Sequence, residues 1–547
     1  MNRSLRRWLV IGVVVLFAIS IIAPTVISLR QAAPELTTPP SSTPTVRASV
    51  DPAHVLPVPS QTYAVEDPPD RPVVEVPQVE PPGFTEPPPG AGLARYFEQE
   101  FSWADCGGFK CATFIAPLDW HDPDGQAITI AMRMAPATSE PYGGPLFINP
   151  GGPGGSAQEY VGGFNRAGLE QFDIIGLDSR GSGESTPVVC GTGPQTDQYY
   201  QADATPDDAA ERQALIEAQE AFNEQCRANS GRLLDHISSI ETIYDYDLAR
   251  HLVGAERLNF YGISYGTFLG AVYAELYPER VGRMVLDSAV NLTPSDEVIQ
   301  AQGFDVSMRA YADWCAEDPD CSLGQTSQQV IDTVVGFIDG LDAQPLPTQD
   351  SGRTLTQSLA TTGLILHFYF GSEFYQYLTE TLVYTIETGD GTYLLDAADA
   401  LNERYDDGTY GSLTYAFPAI RCVDETDAGI DEAFDVWLGR DAEMAPIFGP
   451  MFGPDLVCPL WTATAAPQID FTGAGAPPLL VVQNTGDSAT PYRNAEIMAD
   501  ELESAVLVVR ESAGHGAFDS GSMCIDQIVV DYFVSGTTPA DGTRCAS

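Results

Sequence analysis

Lysine is almost absent from this sequence. Lys110 is the single one in 547 residues, and 26 basic side chains face 76 acidic ones, for a formal net charge of -50. A surface this acidic repels phosphate backbones and excludes a nucleic-acid partner. It suits substrates with a free amino group, and it also keeps an exported or salt-exposed protein soluble. Without a G-K-[ST] there is no phosphate-cradling loop for a nucleotide. No C-x-x-C spacing occurs and no histidine stands at ligand spacing from a cysteine pair, so no metal is expected. Histidine is scarce, at six residues, which leaves few candidates for a base. Apolar residues are plentiful: 44% of the chain, with 24 Phe, 23 Tyr and 6 Trp, suffice for a large core.

Arg3, Arg6 and Arg7 precede an uncharged run over 8–29, and Arg30 follows it. At about 1.5 Å per residue that run makes roughly 33 Å of helix, enough to cross a bilayer. The charge bias predicts an N-terminal transmembrane anchor over 1–30 with everything after it outside the cell; a cleaved signal segment is the alternative. All ten cysteines lie between Cys106 and Cys545, in the part expected outside, where disulfides persist. Proximity suggests Cys106 with Cys111, Cys190 with Cys226, Cys315 with Cys321, Cys422 with Cys458 and Cys524 with Cys545, although sequence alone does not decide connectivity. Residues 31–92 hold 16 of the 42 prolines and read as an extended, disordered stalk.

Folded sequence is expected from residue 93. Strand patterns at 127–137, 145–149, 172–178, 258–263 and 281–286 alternate with helical patterns at 207–228 and 240–253. Such alternation predicts a mostly parallel sheet covered on both faces. From 291 to 476 the pattern is mainly helical, and strands resume at 478–483 and 505–510. The chain therefore divides into a core over 93–290, a large helical lid insertion over 291–476, and the rest of the core over 477–547.

Gly262-Ile263-Ser264-Tyr265-Gly266 is the one G-x-S-x-G. It follows a strand and opens a helical pattern, the context in which a sharp turn exposes a nucleophilic hydroxyl. A serine needs a base, and His515, in Ala513-Gly514-His515-Gly516 after the last strand, is the histidine a loop can return to that edge. His54, His121, His236, His251 and His367 lie in the stalk, a turn, a loop, a helix and the lid. Asp487, at the end of the 478–483 strand, supplies the acid, and Ser264, Asp487, His515 is the chain order of α/β-hydrolases. The glycine run 151–155 follows a strand, so the N–H groups of Gly152 and Tyr265 are the expected oxyanion donors. In the Asp178-Ser179-Arg180 turn an ion pair is expected to shape the wall of the site.

Together, Gly151-Gly152-Pro153-Gly154-Gly155, Asp178-x-Arg180-Gly181-x-Gly183, the segment 261–289, Arg421-Cys422-Val423-Asp424 and Gly486-Asp487 with Thr490-Pro491 resemble the actinobacterial tripeptidyl aminopeptidase and proline iminopeptidase family of α/β-hydrolase serine peptidases. The match runs from about residue 105 to the C-terminus and is weakest in the lid. Proline iminopeptidases usually carry His before this glycine run, where Pro150 stands here, which points to the tripeptidyl-peptidase-like branch. The resemblance implies an extracytoplasmic exopeptidase acting near the free N-terminus of a peptide, without metal or organic cofactor. It requires a carboxylate for the substrate's ammonium group, for which Asp424 and Glu425 are the candidates. An ester hydrolase on the same three residues is the alternative, and a catalytically dead binding protein is a further one that the complete set of site residues disfavours.

Overall fold

In the computed structural model the described residues are 71–546, except 294–296, 351 and 428, together with Leu56 and Thr62–Tyr63. The expected anchor over 1–30 lies outside them. No helix among the described residues is long and apolar enough to cross a membrane.

An eleven-stranded sheet organises the molecule. Its strands are β1 (Phe84–Thr85), β2 (Ala104–Cys106), β3 (Phe109–Pro117), β4 (Ala127–Ala135), β5 (Gly144–Asn149), β6 (Phe172–Leu177), β7 (Leu258–Ile263), β8 (Val281–Asp287), β9 (Leu479–Gly486), β10 (Ala505–Ala513) and β11 (Thr543–Ala546). The order is β11-β10-β9-β8-β7-β5-β6-β4-β3-β2, with β1 added to β4. Strands β5 to β11 pair in parallel, and β1 to β4 form an antiparallel flank joined to β6 through β4. Side chains alternate across the pleat. Phe147, Phe260, Met284, Leu286, Leu479 and Val481 enter one core with α3 (Ser239–Leu252) and α4 (Tyr265–Leu276). Their neighbours Leu146, Ile148, Tyr261, Val285, Leu480 and Val482 enter a second core with α1 (Ala157–Gly163) and α12 (Met523–Ser535). Burial on both faces is why these strands read as continuous apolar runs.

Helix starts follow local chemistry. The Ser156 hydroxyl accepts from Glu159 N at the start of α1, and Asp208 with Glu211 forms a capping box on α2 (Ala209–Ser230). The insertion is helical as expected, with α5 (Gln300–Glu317), α6 (Ser327–Ala343), α7 (Gln357–Tyr369), α8 (Tyr375–Thr388), α9 (Thr392–Leu401) and α10 (Ser412–Asp424) before α11 (Tyr492–Glu501) returns to the sheet. Phe304, Met308, Tyr311, Val334, Leu364, Phe368 and Leu382 give it a core of its own. Its exit is not separate: Ala416, Ala419, Ile420 and Val423 of α10 join the sheet's core. The disulfide Cys422–Cys458 lies there, and the other four bridges also join the cysteines nearest in sequence.

The stalk reading needs correction: Leu56 packs against the sheet's core, Thr62 and Tyr63 pair antiparallel with Ile469 and Gln468, and residues 71–92 are docked as well. The Arg71 guanidinium donates to Cys422 O at 2.9 Å and Cys458 O at 3.2 Å and lies 3.3 Å from Asp427 Oδ2. Phe84 and Thr85 pair with Ile128 and Ala127. Proline removes N–H donors and keeps regular structure in residues 71–92 to the short edge strand β1, but it leaves carbonyls and side chains able to dock on an existing surface.

Candidate active site

Strand β7 ends at Ile263 and α4 begins at Tyr265, so Ser264 alone makes the turn. Its φ is 58°, a conformation that a residue with a side chain holds only when its surroundings impose it. The neighbouring glycines make room: a Cβ on Gly262 would stand 2.3 Å from Gly266 O, and one on Gly266 would stand 2.9 Å from Asn149 O. Ser264 N–H donates to Asp287 O at 2.9 Å, and Thr267 Oγ1 donates to Ser264 O at 2.6 Å. Ser264 itself is only partly buried.

Parallel register brings the other two residues to the same edge. Ile263 lies opposite Asp287, Asp287 opposite Val482, and Gly486 opposite Ala513. Ser264, Asp487 and His515 follow three of these strands directly or within two residues. His515 Nδ1 lies 2.9 Å from Asp487 Oδ1 and 3.1 Å from Oδ2. Asp487 is in turn oriented by Ala489 N at 3.0 Å and Thr490 N at 2.8 Å. With Nδ1 committed to the carboxylate, Nε2 is left for proton exchange. Burial alone would lower the imidazole's pKa, but the charge and hydrogen bond of Asp487 outweigh it and the net shift is upward from 6.5.

The glycine run 151–155 lies against this turn. A Cβ on Gly151 would come 2.6 Å from Ile263 O, 2.9 Å from Ser264 Cβ and 3.0 Å from Tyr265 N. Gly152 and Tyr265 therefore sit on adjoining pieces of main chain beside Ser264, an arrangement able to point two N–H groups at one developing oxyanion. Leu413 and Ala416 of α10 cover the loop, within 2.8 Å and 2.6 Å of where Cβ atoms on Gly152 and Gly154 would be.

Two family models match the chain: "alpha/beta hydrolase fold" over residues 144–372 and "TAP-like protein" over residues 445–545. Serine protease Hip1 of Mycobacterium tuberculosis is 32% identical over 494 residues, covering 83% of this chain and 93% of that one. The chain is a serine hydrolase of the tripeptidyl aminopeptidase-like α/β-hydrolase family. Carboxylesterase B of M. tuberculosis is 34% identical over 84% of the hydrolase and 93% of its own length. A tripeptidyl aminopeptidase of Streptomyces lividans is 28% identical over 84% of the hydrolase and 89% of its own length.

Other expected residues of the hydrolase fall elsewhere. Asp424 is turned onto α3, where its oxygens accept from Ser239 N at 2.9 Å and Ser239 Oγ at 2.6 Å. Ser239 Oγ also meets the Tyr265 hydroxyl. Burial, opposed by the Ser239 bonds, pushes the Asp424 carboxyl up to about 7. Glu425 is 53% exposed and 3.8 Å from Arg421. Asp424 is thus engaged with Ser239 and Tyr265, and Glu425 with Arg421. The ion pair expected in the Asp178 turn is also redistributed. Arg180 pairs with Asp245 at 2.7 Å, whereas buried Asp178 accepts from Ser156 Oγ, Gln158 N, Gln158 Nε2 and Glu184 N at 2.7–3.0 Å. Asp178 thus ties the end of the glycine run to the start of α1.

Sequence reasoning missed an acidic cavity of about 180 Å³. Glu159 and Ser156 at the start of α1, Glu184 after the Asp178 turn, and Glu403 and Ser412 from the lid line it, with Arg133 the one cation on its wall. Burial first, and the nearby charge of Glu159, push the Glu403 carboxyl up to about 7. The lid also contributes Tyr369, whose carbonyl accepts from His515 N at 2.9 Å and whose ring stands edge-on to the imidazole at 5.3 Å. Neither feature has a local motif, since each joins segments far apart in the chain. Among the described residues Asp119, His236 and Glu241 could gather a metal ion. Glu241 already lies 3.7 Å from the Arg180 guanidinium, which meets its charge.

Proposed function

We propose that the hydrolase is an exopeptidase that releases tripeptides or single residues from a free peptide N-terminus. Ser264 attacks the scissile carbonyl, and His515 takes the hydroxyl proton and returns it to the leaving amine. Asp487 holds the imidazole's tautomer and stabilises its cation, and Gly152 and Tyr265 N–H groups receive the oxyanion. Water then cleaves the acyl-enzyme. The observation that carries this reading is the His515–Asp487 pair at 2.9 Å on the same strand edge as the strained Ser264 turn. In place of Asp424 and Glu425, the acidic cavity supports recognition of the ammonium group. Ser156 on its wall is the next residue in the chain after the glycine run, and a cation entering the cavity relieves the repulsion among Glu159, Glu184 and Glu403. Replacing Ser264 by Ala is expected to abolish turnover and fluorophosphonate labelling without unfolding the chain. Acetylating the substrate's N-terminus is expected to abolish cleavage by the unaltered enzyme, and equal cleavage of the blocked peptide rules the exopeptidase reading out.

The second reading is an ester hydrolase on the same residues, favoured by the likeness to a carboxylesterase at 34% identity. A side-by-side comparison of kcat/KM for unblocked peptides and for acyl esters with long chains separates the two. For location we propose an extracytoplasmic enzyme held at the membrane by residues 1–30. The five disulfides and the basic residues before the apolar run support it.

A further inference from the structure

Asp287 is the last residue of β8, between the strand that leads to Ser264 and the strand that leads to Asp487. Its main-chain carbonyl accepts the Ser264 N–H at 2.9 Å. Its carboxylate, fully buried, reaches the opposite way, accepting Ala517 N at Oδ1 and Phe518 N at Oδ2, both at 2.9 Å. The Tyr261 hydroxyl donates to Oδ2 at 2.9 Å, and Ser288 Oγ approaches Oδ1 at 3.4 Å. Burial pushes the Asp287 carboxyl up from 3.8, and the donors converging on both oxygens oppose that shift by favouring the ionised form. The next residue continues the arrangement: Ser288 N donates to Val482 O at 2.9 Å, and Ser288 Oγ accepts from Gly516 N at 2.8 Å. From the third strand, Asn484 Nδ2 donates to Gly514 O at 2.9 Å and Gly516 O at 2.8 Å.

We infer that Asp287 is a positioning residue that joins the turn of Ser264 and the loop of His515 into one rigid unit, through its carbonyl on one side and its carboxylate on the other. The inference rests on the proposed roles of Ser264 and His515. A loop after an edge-directed strand is otherwise free to drift, and misplacing a base by about 1 Å costs on the order of 100-fold in rate. The carboxylate has a second effect. Its negative charge adds to that of Asp487 in favouring the imidazolium. The other groups around the ring are the Tyr369 side chain from α7 and the Thr490 hydroxyl, 3.4 Å from Nδ1. Around Asp287 itself stand Tyr261, the Tyr160 phenol beyond it, His515, and the Arg510 guanidinium of β10, whose positive charge also acts on it.

The test is the pH dependence of fluorophosphonate labelling, with KM for an unblocked peptide, in the whole chain and its Asp287→Asn, Ser288→Ala and Ser264→Ala variants. Asparagine accepts one of the two loop N–H groups and opposes the other with its own. Asp287→Asn is expected to slow labelling by roughly 10–100-fold while leaving KM within about twofold, a loss confined to the chemical step. Its acid limb is expected to move to lower pH, because the imidazolium has lost a neighbouring anion; a merely structural role moves no limb. Ser288→Ala removes one bond to the same loop and no charge, so labelling slows by a smaller factor with the limb unmoved. A folded Asp287→Asn variant that labels at the unaltered rate, or with an unmoved limb, overturns the proposal. Should that variant not fold, Ser288→Ala decides: labelling within about twofold of the unaltered chain overturns the proposal, and slower labelling at constant KM supports it. If the unaltered chain does not label, or labelling survives Ser264→Ala, the reading of Ser264 fails and the inference fails with it.

Discussion

At the residue scale, His515 has to be neutral to accept a proton. Its pKa is shifted upward from 6.5, burial being outweighed by Asp487, so the base is lost as pH falls through a value above 6.5. The kcat/KM for a neutral acyl ester is therefore expected to show a single acid limb with its midpoint above that value, read from a pH profile; a midpoint below it contradicts the assignment. Glu403 adds a second limb for peptides alone. Burial pushes its carboxyl up to about 7, and in the proposed binding mode the substrate's ammonium group loses a counter-charge below that. KM for an unblocked peptide should rise as pH falls through about 7, and Glu403→Gln should raise it about tenfold at higher pH, a loss of about 1.4 kcal/mol, with ester turnover unchanged. Ser264, Asp487 and His515 were legible as candidates because each follows the end of a strand by one or two residues and carries its own short pattern. Glu159, Glu184 and Glu403 were not, since no spacing connects three acids among 76 and only the closing of the lid assembles them.

At the scale of elements, the site depends on how closely β7, the glycine run and α10 are stacked. Gly151 has φ 87° and no space for a Cβ, which would lie 2.6 Å from Ile263 O. Gly151→Ala is expected to push the loop off the Ser264 turn and misplace the oxyanion donors. The kcat should fall by roughly 100-fold, the cost of losing one such donor, with KM little altered. A variant with unchanged kcat, measured by steady-state turnover, would show that the loop does not serve the oxyanion. The helix α10 was legible as part of the insertion but not as part of the main core. Its apolar spacing reports that one face is buried; it does not say which of two cores receives it.

At the scale of the whole molecule, composition misjudged the segment 71–92, which is laid on the domain through Arg71 and β1. A chain beginning at residue 71 loses the Thr62–Tyr63 pairing with Gln468–Ile469 and the Leu56 contact with the core, so its unfolding midpoint is expected to lie slightly below the full-length one. One beginning at residue 93 should lose about 2–4 kcal/mol, from the buried Arg71 bonds and the β1 pairing. Thermal unfolding of the two chains checks this, and equal midpoints would mean that the docked segment contributes nothing. Burial of the Arg71 side chain between Cys422 O, Cys458 O and Asp427 makes the difference a property of the tertiary structure.

By itself the sequence determined the parallel sheet, and it nominated Ser264, Asp487 and His515 as candidates. Each of these is written in a local period or in the residues bordering one strand. Only the tertiary structure decided that Asp424 faces Ser239, that Arg180 pairs with Asp245, and that Glu159, Glu184 and Glu403 share a cavity. It likewise decided that Asp287 spans the serine turn and the histidine loop. These are contacts between segments distant in the chain, and they depend on strand order and lid closure, for which a local pattern carries no signal.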